Sequence, residues 1–187
     1  MLILASASPR RRELLALITP DFTVCVSDTD EAAIYADNPA ALAESTAFAK
    51  CAAVAALHTQ DTIIGCDTVV DVDGVVFGKP KDAQDARRML RVLQGRAHCV
   101  HTGVAIYHKG AYRRFTVSSQ VHFMPIPDAA LTPYLATAEP YDKAGAYGIQ
   151  GWAAKYTQSI NGCYFNIMGF PVSRIYAELQ DVLCTNC

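Results

Sequence analysis

The sequence predicts an α/β fold, because short apolar runs typical of buried strands alternate with segments that carry helix start and stop signals. Residues 1–5 form the first apolar run, and a helix over 11–18 and a strand over 21–26 follow it. Two longer strands, over 97–107 and 111–124, are joined by a short turn and form an antiparallel pair. These observations predict a sheet with helices packed against it.

Local signals of turns, caps and apolar periodicity define the remaining elements. Asn38-Pro39 precedes an alanine-rich helix whose small side chains allow close packing. Asp82 is a helix N-cap, and Gly95 ends that helix. The predicted elements are a helix over 40–57, a strand over 62–66 that ends at Asp67-Thr68, a hairpin over 69–76 with its turn at Asp73-Gly74, a helix over 82–93, a helix over 128–137, a glycine-rich loop over 142–151, a strand pair over 153–160 and 164–168, and a helix from Pro171 to about 183.

The composition indicates a globular chain with a core of its own. The chain has 187 residues, of which 51% are apolar, so we expect one domain over 1–187, built as one unit or as two tightly packed lobes. A formal net charge of −2 gives no general reason to bind nucleic acid or an anionic membrane. The sequence shows neither a membrane-spanning apolar segment nor a basic, apolar leader, so we expect a cytoplasmic protein.

Seven cysteines are scattered through apolar segments rather than paired at the spacing of a disulfide framework. We expect most of them to be buried thiols. Cys184 and Cys187 form a C-x-x-C pair, but no second pair of soft ligands accompanies them. A frayed tail is therefore expected there rather than a zinc site.

The segment Ser6-Ala-Ser-Pro-Arg-Arg-Arg12 joins the first strand to the first helix through two hydroxyls and three guanidinium groups. Either serine can cap the helix. The free amides of a helix start, the positive end of its dipole and forked arginines all favour an anion at one point. The segment therefore predicts a polyphosphate site, with a capped helix and a solvated basic face as an equally weighted alternative.

Two groups of acidic residues are candidates for chemistry. Asp67 follows a buried strand, and strand ends of α/β sheets commonly open into ligand clefts, so it is a candidate metal ligand or base. Asp30 and Glu31 form a pair that suits Mg²⁺ bridged to phosphate oxygens. The alternatives are a turn-forming role for Asp67, whose side chain would accept from nearby amides, and an exposed acidic loop at residues 27–31.

Two lysines and a glutamine complete the candidate set. Lys79 follows the predicted hairpin and suits a fixed charge for phosphate, while Lys50 is a lone cation among small apolar residues of a helix. Solvated side chains are the alternative for both. The glycine-rich loop lets backbone approach a ligand closely. Gln150 within it offers a donor and an acceptor, which match the edge of uracil or thymine, and a structural turn is the alternative.

Taken in order, these residues closely resemble the Maf family of nucleoside triphosphate pyrophosphatases, from residue 2 to about residue 180. The late motif, in its Ala-Tyr-Gly-Ile-Gln form, resembles the branch that acts on dTTP and UTP. Cys66 stands where alanine is usual in the family. The motifs that carry the resemblance are Ser6-Ala-Ser-Pro-Arg-Arg11, Gly65-Cys-Asp-Thr68, Gly78-Lys-Pro80, Leu90-Arg-Val-Leu-Gln-Gly95, Asp142-Lys-Ala-Gly-Ala-Tyr-Gly-Ile-Gln150, Asn161-Gly162 and Met168-Gly-Phe-Pro171.

The resemblance implies a cytoplasmic enzyme that uses Mg²⁺, or Mn²⁺ in its place, to cleave a nucleoside triphosphate between its α and β phosphates. It implies an elongated mixed sheet flanked by helices, with two lobes around a central cleft as in inosine triphosphate pyrophosphatases, and usually a homodimer. Asp67 is implied as the general base and, with Glu31, as a metal ligand. The remaining implied residues are Arg10, Thr68 and Gln150 for substrate choice, and Ser8, Arg11, Lys50 and Lys79 for the phosphate cleft.

Two other readings stay open at the level of sequence. A nucleotide-binding regulator of septum formation would use the same arginines and glycines without turnover. A broader pyrophosphatase would remove modified pyrimidine nucleotides. The presence of Asp67, Glu31 and Lys79 together favours catalysis, because a pure binding protein needs no positioned base.

Overall fold

The computed structural model describes residues 1–184. Within that range, strands and helices alternate along most of the chain, which confirms the predicted α/β class. The strands are β1 (Leu2–Ala5), β2 (Thr23–Val24), β3 (Thr62–Val72), β4 (Val75–Phe77), β5 (Ala97–His108), β6 (Ala111–Phe123) and β7 (Thr157–Asn161). The α-helices are α1 (Pro9–Ala16), α2 (Pro39–Ala55), α3 (Ala83–Leu93), α4 (Asp128–Leu135), α5 (Tyr164–Ile167) and α6 (Val172–Cys184). Short 3-10 helices lie at Glu31–Ala33, Glu139–Asp142, Ala144–Ala146 and Trp152–Tyr156.

The strands form one mixed sheet in the order β2-β1-β3-β5-β6-β7, with β4 paired to β3. The pairings β2 with β1 and β1 with β3 are parallel, whereas β5, β6, β7 and β4 join by antiparallel pairing. The helix α1 connects β1 to β2, and α2 connects the exposed edge strand β2 to β3. The predicted elongated mixed sheet flanked by helices is therefore confirmed.

One edge of β3 has a gap between two partner strands, and this gap positions the cleft described below. On the opposite edge, β3 pairs with β5 from Thr62 to Asp71. On the gapped edge, β1 covers β3 only as far as Gly65, and β4 covers it again from Val70. Residues 66–69 consequently have no strand beside them on that edge in the described part of the chain.

The prediction that a strand ends just before Asp67 is wrong, because β3 continues without a break to Val72. Pairing with β5 holds the chain extended through this region. The parallel neighbour β1 stops at Ala5 instead, which exposes the edge of β3 beside Asp67. The predicted opening beside Asp67 is therefore present, but the strand that ends there is β1 and not β3.

The helix α2 packs closely on one face of the sheet because two glycines leave room for its backbone. A Cβ atom on Gly103 would overlap the carbonyl group of Ala43, and one on Gly65 would overlap the carbonyl oxygen of Ala47. Close packing aligns the helix with the gap in β3. The buried residues of this layer are Ile3, Ala5, Cys51, Val54, Ala55, Ile63, Ala105 and Tyr107.

The larger part of the core lies on the other face of the sheet, where α1, α3, α4 and α6 pack. In α3, Ala86, Met89, Leu90 and Leu93 are buried at the spacing of one helical face. Asp82 caps this helix through the amide of Asp85, as the sequence predicts. None of the helices in residues 1–184 is both long and apolar enough to cross a membrane.

Three further predicted strands differ from the structure. The predicted strand at 21–26 is reduced to Thr23–Val24, an exposed edge segment. The predicted strand pair at 153–160 and 164–168 is wrong, because β7 pairs with β6 and the residues after Gly162 form the short helix α5. Asn166 holds α5 in place: its side-chain amide donates to the carbonyl of Val100 at 3.0 Å and to Ser119 Oγ at 2.9 Å.

The cysteines are less uniformly buried than expected. Cys51 and Cys66 are buried, whereas Cys25, Cys99 and Cys163 are partly exposed, and all five are free thiols. The position of each cysteine in the fold therefore decides its exposure more than the apolar character of the surrounding segment does. The prediction of a frayed tail at the C-x-x-C pair involves residue 187, which lies outside the described residues.

Substitution of Gly103 by alanine should destabilise the fold, since the new methyl group would force α2 away from the sheet. We expect Gly103→Ala to lower the free energy of unfolding by at least about 2 kcal/mol, measured by urea denaturation. Gly78→Ala is the matched control, because a Cβ there meets no atom within 4 Å. Equal stability of the two variants would contradict the close packing of α2.

Candidate active site

A cleft of about 900 Å³ opens at the gap in the edge of β3. Its walls come from α2, the start of α1, the residues after β4, the segment 139–151 and the segment 167–169. Apart from Asp30, the sequence-predicted residues all line this cleft, although they come from distant parts of the chain. They are Ser8, Arg10, Arg11, Glu31, Lys50, Asp67, Thr68, Lys79 and Gln150.

The first wall is the turn from β1 into α1, which the serines shape. Ser8 is the N-cap of α1 and accepts from the amide of Arg11 at 3.5 Å, with Pro9 as the first helical residue. Ser6 accepts from the amide of Ser8 at 3.3 Å. The helix start therefore faces the cleft with Arg10 and Arg11 in its first turn, a position that favours an anion.

Arg11 is held by three hydrogen bonds across the base of the cleft. Its Nε donates to the carbonyl of Gly169 at 2.9 Å, one terminal nitrogen donates to Ser6 Oγ at 3.2 Å, and the other donates to Thr68 Oγ1 at 3.0 Å. Each terminal nitrogen keeps one further N–H group. This pair of donors suits two oxygens of a phosphate group.

Lys50 joins the two predicted acidic residues. Its Nζ lies 2.7 Å from Asp67 Oδ1 and 2.9 Å from Glu31 Oε1. The side chains of Lys50 and Asp67 are only 13% and 14% exposed, whereas Glu31 is 57% exposed on its 3-10 helix. The three groups carry one net negative formal charge, which a bound cation would balance.

The acidic pair fits a magnesium ion that also uses substrate and water oxygens. Among residues 1–184, no group of three or more histidine, cysteine, aspartate and glutamate side chains could hold a metal by itself. Mg²⁺ is commonly bound through one or two carboxylates together with substrate phosphates and waters. Glu31 and Asp67 are the two carboxylates that could hold such an ion, since both contact the same lysine nitrogen.

The opposite wall contributes an ion pair that the sequence analysis missed. Arg10 donates to the carboxylate of Asp142 at 3.0 Å, and Lys143 Nζ lies 2.6 Å from the same carboxylate. Partial burial raises the pKa of Asp142, but the hydrogen bonds from Lys143 and Arg10 outweigh it and hold that pKa below its ordinary value. Asp142 thus ties the start of α1 to the glycine-rich segment across the cleft.

Gln150 and Lys79 lie exposed at the cleft and keep their polar groups available. In the part of the chain that the structure describes, neither side chain takes part in a hydrogen bond or ion pair. Glycines allow the segment around Gln150 to fold tightly: Gly145 has φ of 70°, and a Cβ on Gly151 would overlap the carboxylate of Glu139. That carboxylate also accepts from the amide of Trp152 at 3.2 Å.

A buried histidine supports the same segment from behind. His98 Nε2 lies 2.7 Å from the hydroxyl of Tyr147, which lines the cleft. Burial is the main cause that lowers the pKa of His98 to about 4, and the charges of Arg96 and His122 lower it further. His98 is therefore a packed residue in its neutral form.

Cys66 adds no reactive thiol to the cleft. It is fully buried in the core, and burial raises the pKa of its thiol to about 12. The replacement of the family's usual alanine by cysteine is therefore a change within the core.

The structure is that of an α/β protein with a mixed sheet and a cleft between a helix start and a lysine-bridged carboxylate pair. A family model described as Maf-like protein matches residues 1–182. The chain belongs to the Maf family. The roles that the resemblance implies for the individual site residues stay predictions.

Relatives of known name cover nearly the whole chain. The dTTP/UTP pyrophosphatase of Symbiobacterium thermophilum is 46% identical over 96% of this chain and 93% of its own length. The dTTP/UTP pyrophosphatase of Carboxydothermus hydrogenoformans is 44% identical over 95% of this chain and 96% of its own. The protein of the same name from Bacillus cytotoxicus is 42% identical over 96% and 94%.

Two solved structures share the fold at low sequence identity. The Ham1 protein of Staphylococcus aureus has a TM-score of 0.55 and 13% identity, over 96% of this chain and 98% of that one. The HAM1 protein of Coxiella burnetii has a TM-score of 0.53 and 13% identity, over 98% of both chains. These two proteins therefore share the fold of this chain, although only 13% of the aligned residues are identical.

The buried state of His98 predicts a loss of stability in acid. The unfolded chain takes up a proton near the ordinary pKa of 6.5, whereas the folded chain does so only near 4. Folding stability contributed by the neutral histidine is therefore lost as the pH falls from 6.5 to 4. Between pH 7 and pH 4.5 the wild type should lose about 2 kcal/mol more than His98→Gln, measured by urea denaturation.

Parallel pH dependences of the two proteins would contradict this assignment. Groups other than His98 titrate in both proteins, so the difference between their curves isolates the histidine.

Proposed function

We propose that this chain hydrolyses dTTP and UTP between the α and β phosphates and releases a nucleoside monophosphate and pyrophosphate. The observation that carries the proposal is the meeting of the Asp67–Lys50 pair with the Arg11 donors at one cleft. Membership in the Maf family supports the proposal, as do relatives that are named dTTP/UTP pyrophosphatases.

The cations of the cleft would bind and stabilise the triphosphate. Arg11 offers its two remaining N–H groups, Lys79 offers an unengaged ammonium group, and Lys50 lies between the carboxylates. Phosphoryl transfer depends mostly on positioning and on stabilising charge over the phosphate oxygens. Arg11 is the best positioned of the three because its fork is already held by the protein.

Asp67 would accept the proton of the attacking water. Its Oδ1 accepts from Lys50, whereas its Oδ2 makes no hydrogen bond within residues 1–184 and remains available to a water molecule. Lys50 fixes the direction of the carboxylate, which lies on a rigid central strand. A general base held this way contributes about 10²- to 10⁴-fold to a rate.

Glu31 and Asp67 would hold Mg²⁺, with Mn²⁺ as its substitute. The ion would neutralise phosphate charge and orient the triphosphate when bound. Glu31 lies on an exposed 3-10 helix capped by Asp30, which accepts from the amide of Ala32 at 3.1 Å. This short element places the second carboxylate opposite Asp67 across Lys50.

Selection of the substrate's nucleobase would depend on Gln150, with Arg10 and Thr68 as further contributors. The Gln150 amide is a donor and an acceptor, which complements the N–H and carbonyl groups of uracil and thymine. Modified pyrimidines that keep this edge would also bind. We further propose a cytoplasmic homodimer that acts on free nucleotides rather than on nucleic acid or membranes.

Replacement of Asp67 by asparagine should abolish most of the hydrolysis while leaving the fold intact. We expect Asp67→Asn to lower kcat for UTP by at least about 100-fold, because the amide cannot accept the proton of the water. Release of pyrophosphate with Mg²⁺ present measures the effect, and the midpoint of thermal unfolding checks the fold.

Asp71→Asn is the matched control, since Asp71 lies on the same face of β3 but outside the cleft. Its carboxylate accepts from the amide of Gly74 at 2.8 Å, a bond that asparagine can keep. Retained turnover in Asp67→Asn would reject Asp67 as the base and leave Glu31 as the next carboxylate to substitute. Tight UTP binding by a wild type without turnover would favour the nucleotide-binding regulator.

A further inference from the structure

Thr102 lies behind the cleft as a hydroxyl with no contact to solvent. It is the partner of Thr68 in the pairing of β5 with β3, so the two side chains stand beside each other on one face of the sheet. Thr68 lines the cleft, whereas Thr102 is 0% exposed. A buried hydroxyl beside a cleft residue can act on a ligand only through that residue.

The hydrogen bonds of Thr102 have one consistent direction. Thr102 Oγ1 lies 2.9 Å from the carbonyl oxygen of Asn166, which can only accept, so Thr102 donates its hydrogen there. The two threonine hydroxyls are 3.0 Å apart. Because the hydrogen of Thr102 is engaged, Thr68 must be the donor in the bond between them.

This direction determines what Thr68 offers on its cleft side. The hydrogen of Thr68 points toward Thr102 and away from the cleft, and Thr68 Oγ1 accepts from the guanidinium of Arg11 at 3.0 Å. A hydroxyl free to rotate would present its hydrogen to the arginine in part of its orientations. Thr102 therefore keeps Thr68 turned as an acceptor for Arg11.

The same hydroxyl secures the second support of Arg11. Arg11 Nε donates to the carbonyl of Gly169, three residues after Asn166, and Asn166 is fully buried. The positive φ of Gly169, 95°, turns its backbone toward Arg11 and Thr68. Through its bonds to Thr68 and Asn166, Thr102 links two of the three groups that hold the guanidinium, Thr68 and the segment of Gly169.

We propose that Thr102 is a positioning residue that fixes the direction of the Arg11 guanidinium toward the substrate phosphates by orienting Thr68 and the segment 166–169. The proposal deepens the proposed function and rests on it. The sequence-based prediction gives Thr68 a role in substrate choice. In this proposal Thr68 acts on the substrate mainly by holding Arg11.

The test compares Thr102→Val with Thr102→Ser. Valine leaves the Thr68 hydrogen and the Asn166 carbonyl without their partner, and kcat/KM for UTP should fall about 10- to 100-fold, as expected for a misplaced binding group. Serine keeps the hydroxyl and should retain kcat/KM within about 3-fold. Thr116→Val is the matched control. Thr116 lies on β6 away from the cleft, and its hydroxyl donates to the carbonyl of Ala40 in α2.

A double-mutant cycle that combines Thr102→Val with Arg11→Lys distinguishes a role in positioning Arg11 from a general structural role. Lysine cannot make the three supporting bonds together, so Thr102→Val should have less than about a 3-fold further effect in the Arg11→Lys protein. Thermal unfolding of every variant identifies losses that come from instability alone. Wild-type activity of Thr102→Val, failure of serine to restore activity, or full additivity with Arg11→Lys would each overturn the proposal.

Failure of the proposed function has a different signature. If the wild type binds UTP without hydrolysing it, the same variants are compared by the dissociation constant for UTP, measured by calorimetry. Weaker binding by Thr102→Val with recovery in Thr102→Ser would then support the role of Thr102, and equal binding by all variants would overturn it.

Discussion

The gap in the edge of β3 is the constraint on which the site depends. β1 ends beside Gly65 and β4 begins beside Val70, so the intervening residues lie at an open edge inside an otherwise continuous sheet. Strand alternation directs Asp67 to the face covered by α2 and Thr68 to the opposite face. The segment that follows β1 carries the serines and arginines to one side of the gap, and the segment that follows β4 carries Lys79 to the other side.

Charge balance across the gap explains how the carboxylates remain close together. Lys50 lies between Asp67 and Glu31 at hydrogen-bond distance from both. A partly buried carboxylate without such a partner would be costly. The same arrangement suits a reaction that brings in a highly charged triphosphate with a cation, since the lysine can exchange carboxylate contacts for phosphate contacts. Arg11 differs, because its three supporting hydrogen bonds go to neutral groups and leave two N–H groups available to a phosphate.

Local signals in the sequence predict the elements whose ends are set by nearby residues, such as a serine cap for α1, the Asp82 cap of α3 and the Asp73-Gly74 turn, where both φ values are positive. The structure selects Ser8 over Ser6 as the cap of α1. Motif order also predicts which side chains line the cleft. Long-range pairing is not visible in this way: β7 depends on β6, and α5 on burial of Asn166. Thr102 escapes sequence analysis because a threonine in a strand has an ordinary explanation, and only the direction of its hydrogen bonds distinguishes it.

The most direct test of the account is product analysis for UTP, dTTP, CTP, ATP and GTP with Mg²⁺, comparing the wild type with Gln150→Ala. We expect UMP and pyrophosphate from UTP, and kcat/KM for UTP and dTTP at least about 10-fold above that for CTP. Cytosine has an acceptor where uracil has its ring N–H donor, and an amino donor where uracil has a carbonyl acceptor. Gln150→Ala should lose most of this preference. Release of orthophosphate in place of pyrophosphate, or equal rates for all five nucleotides in the wild type, would contradict the account.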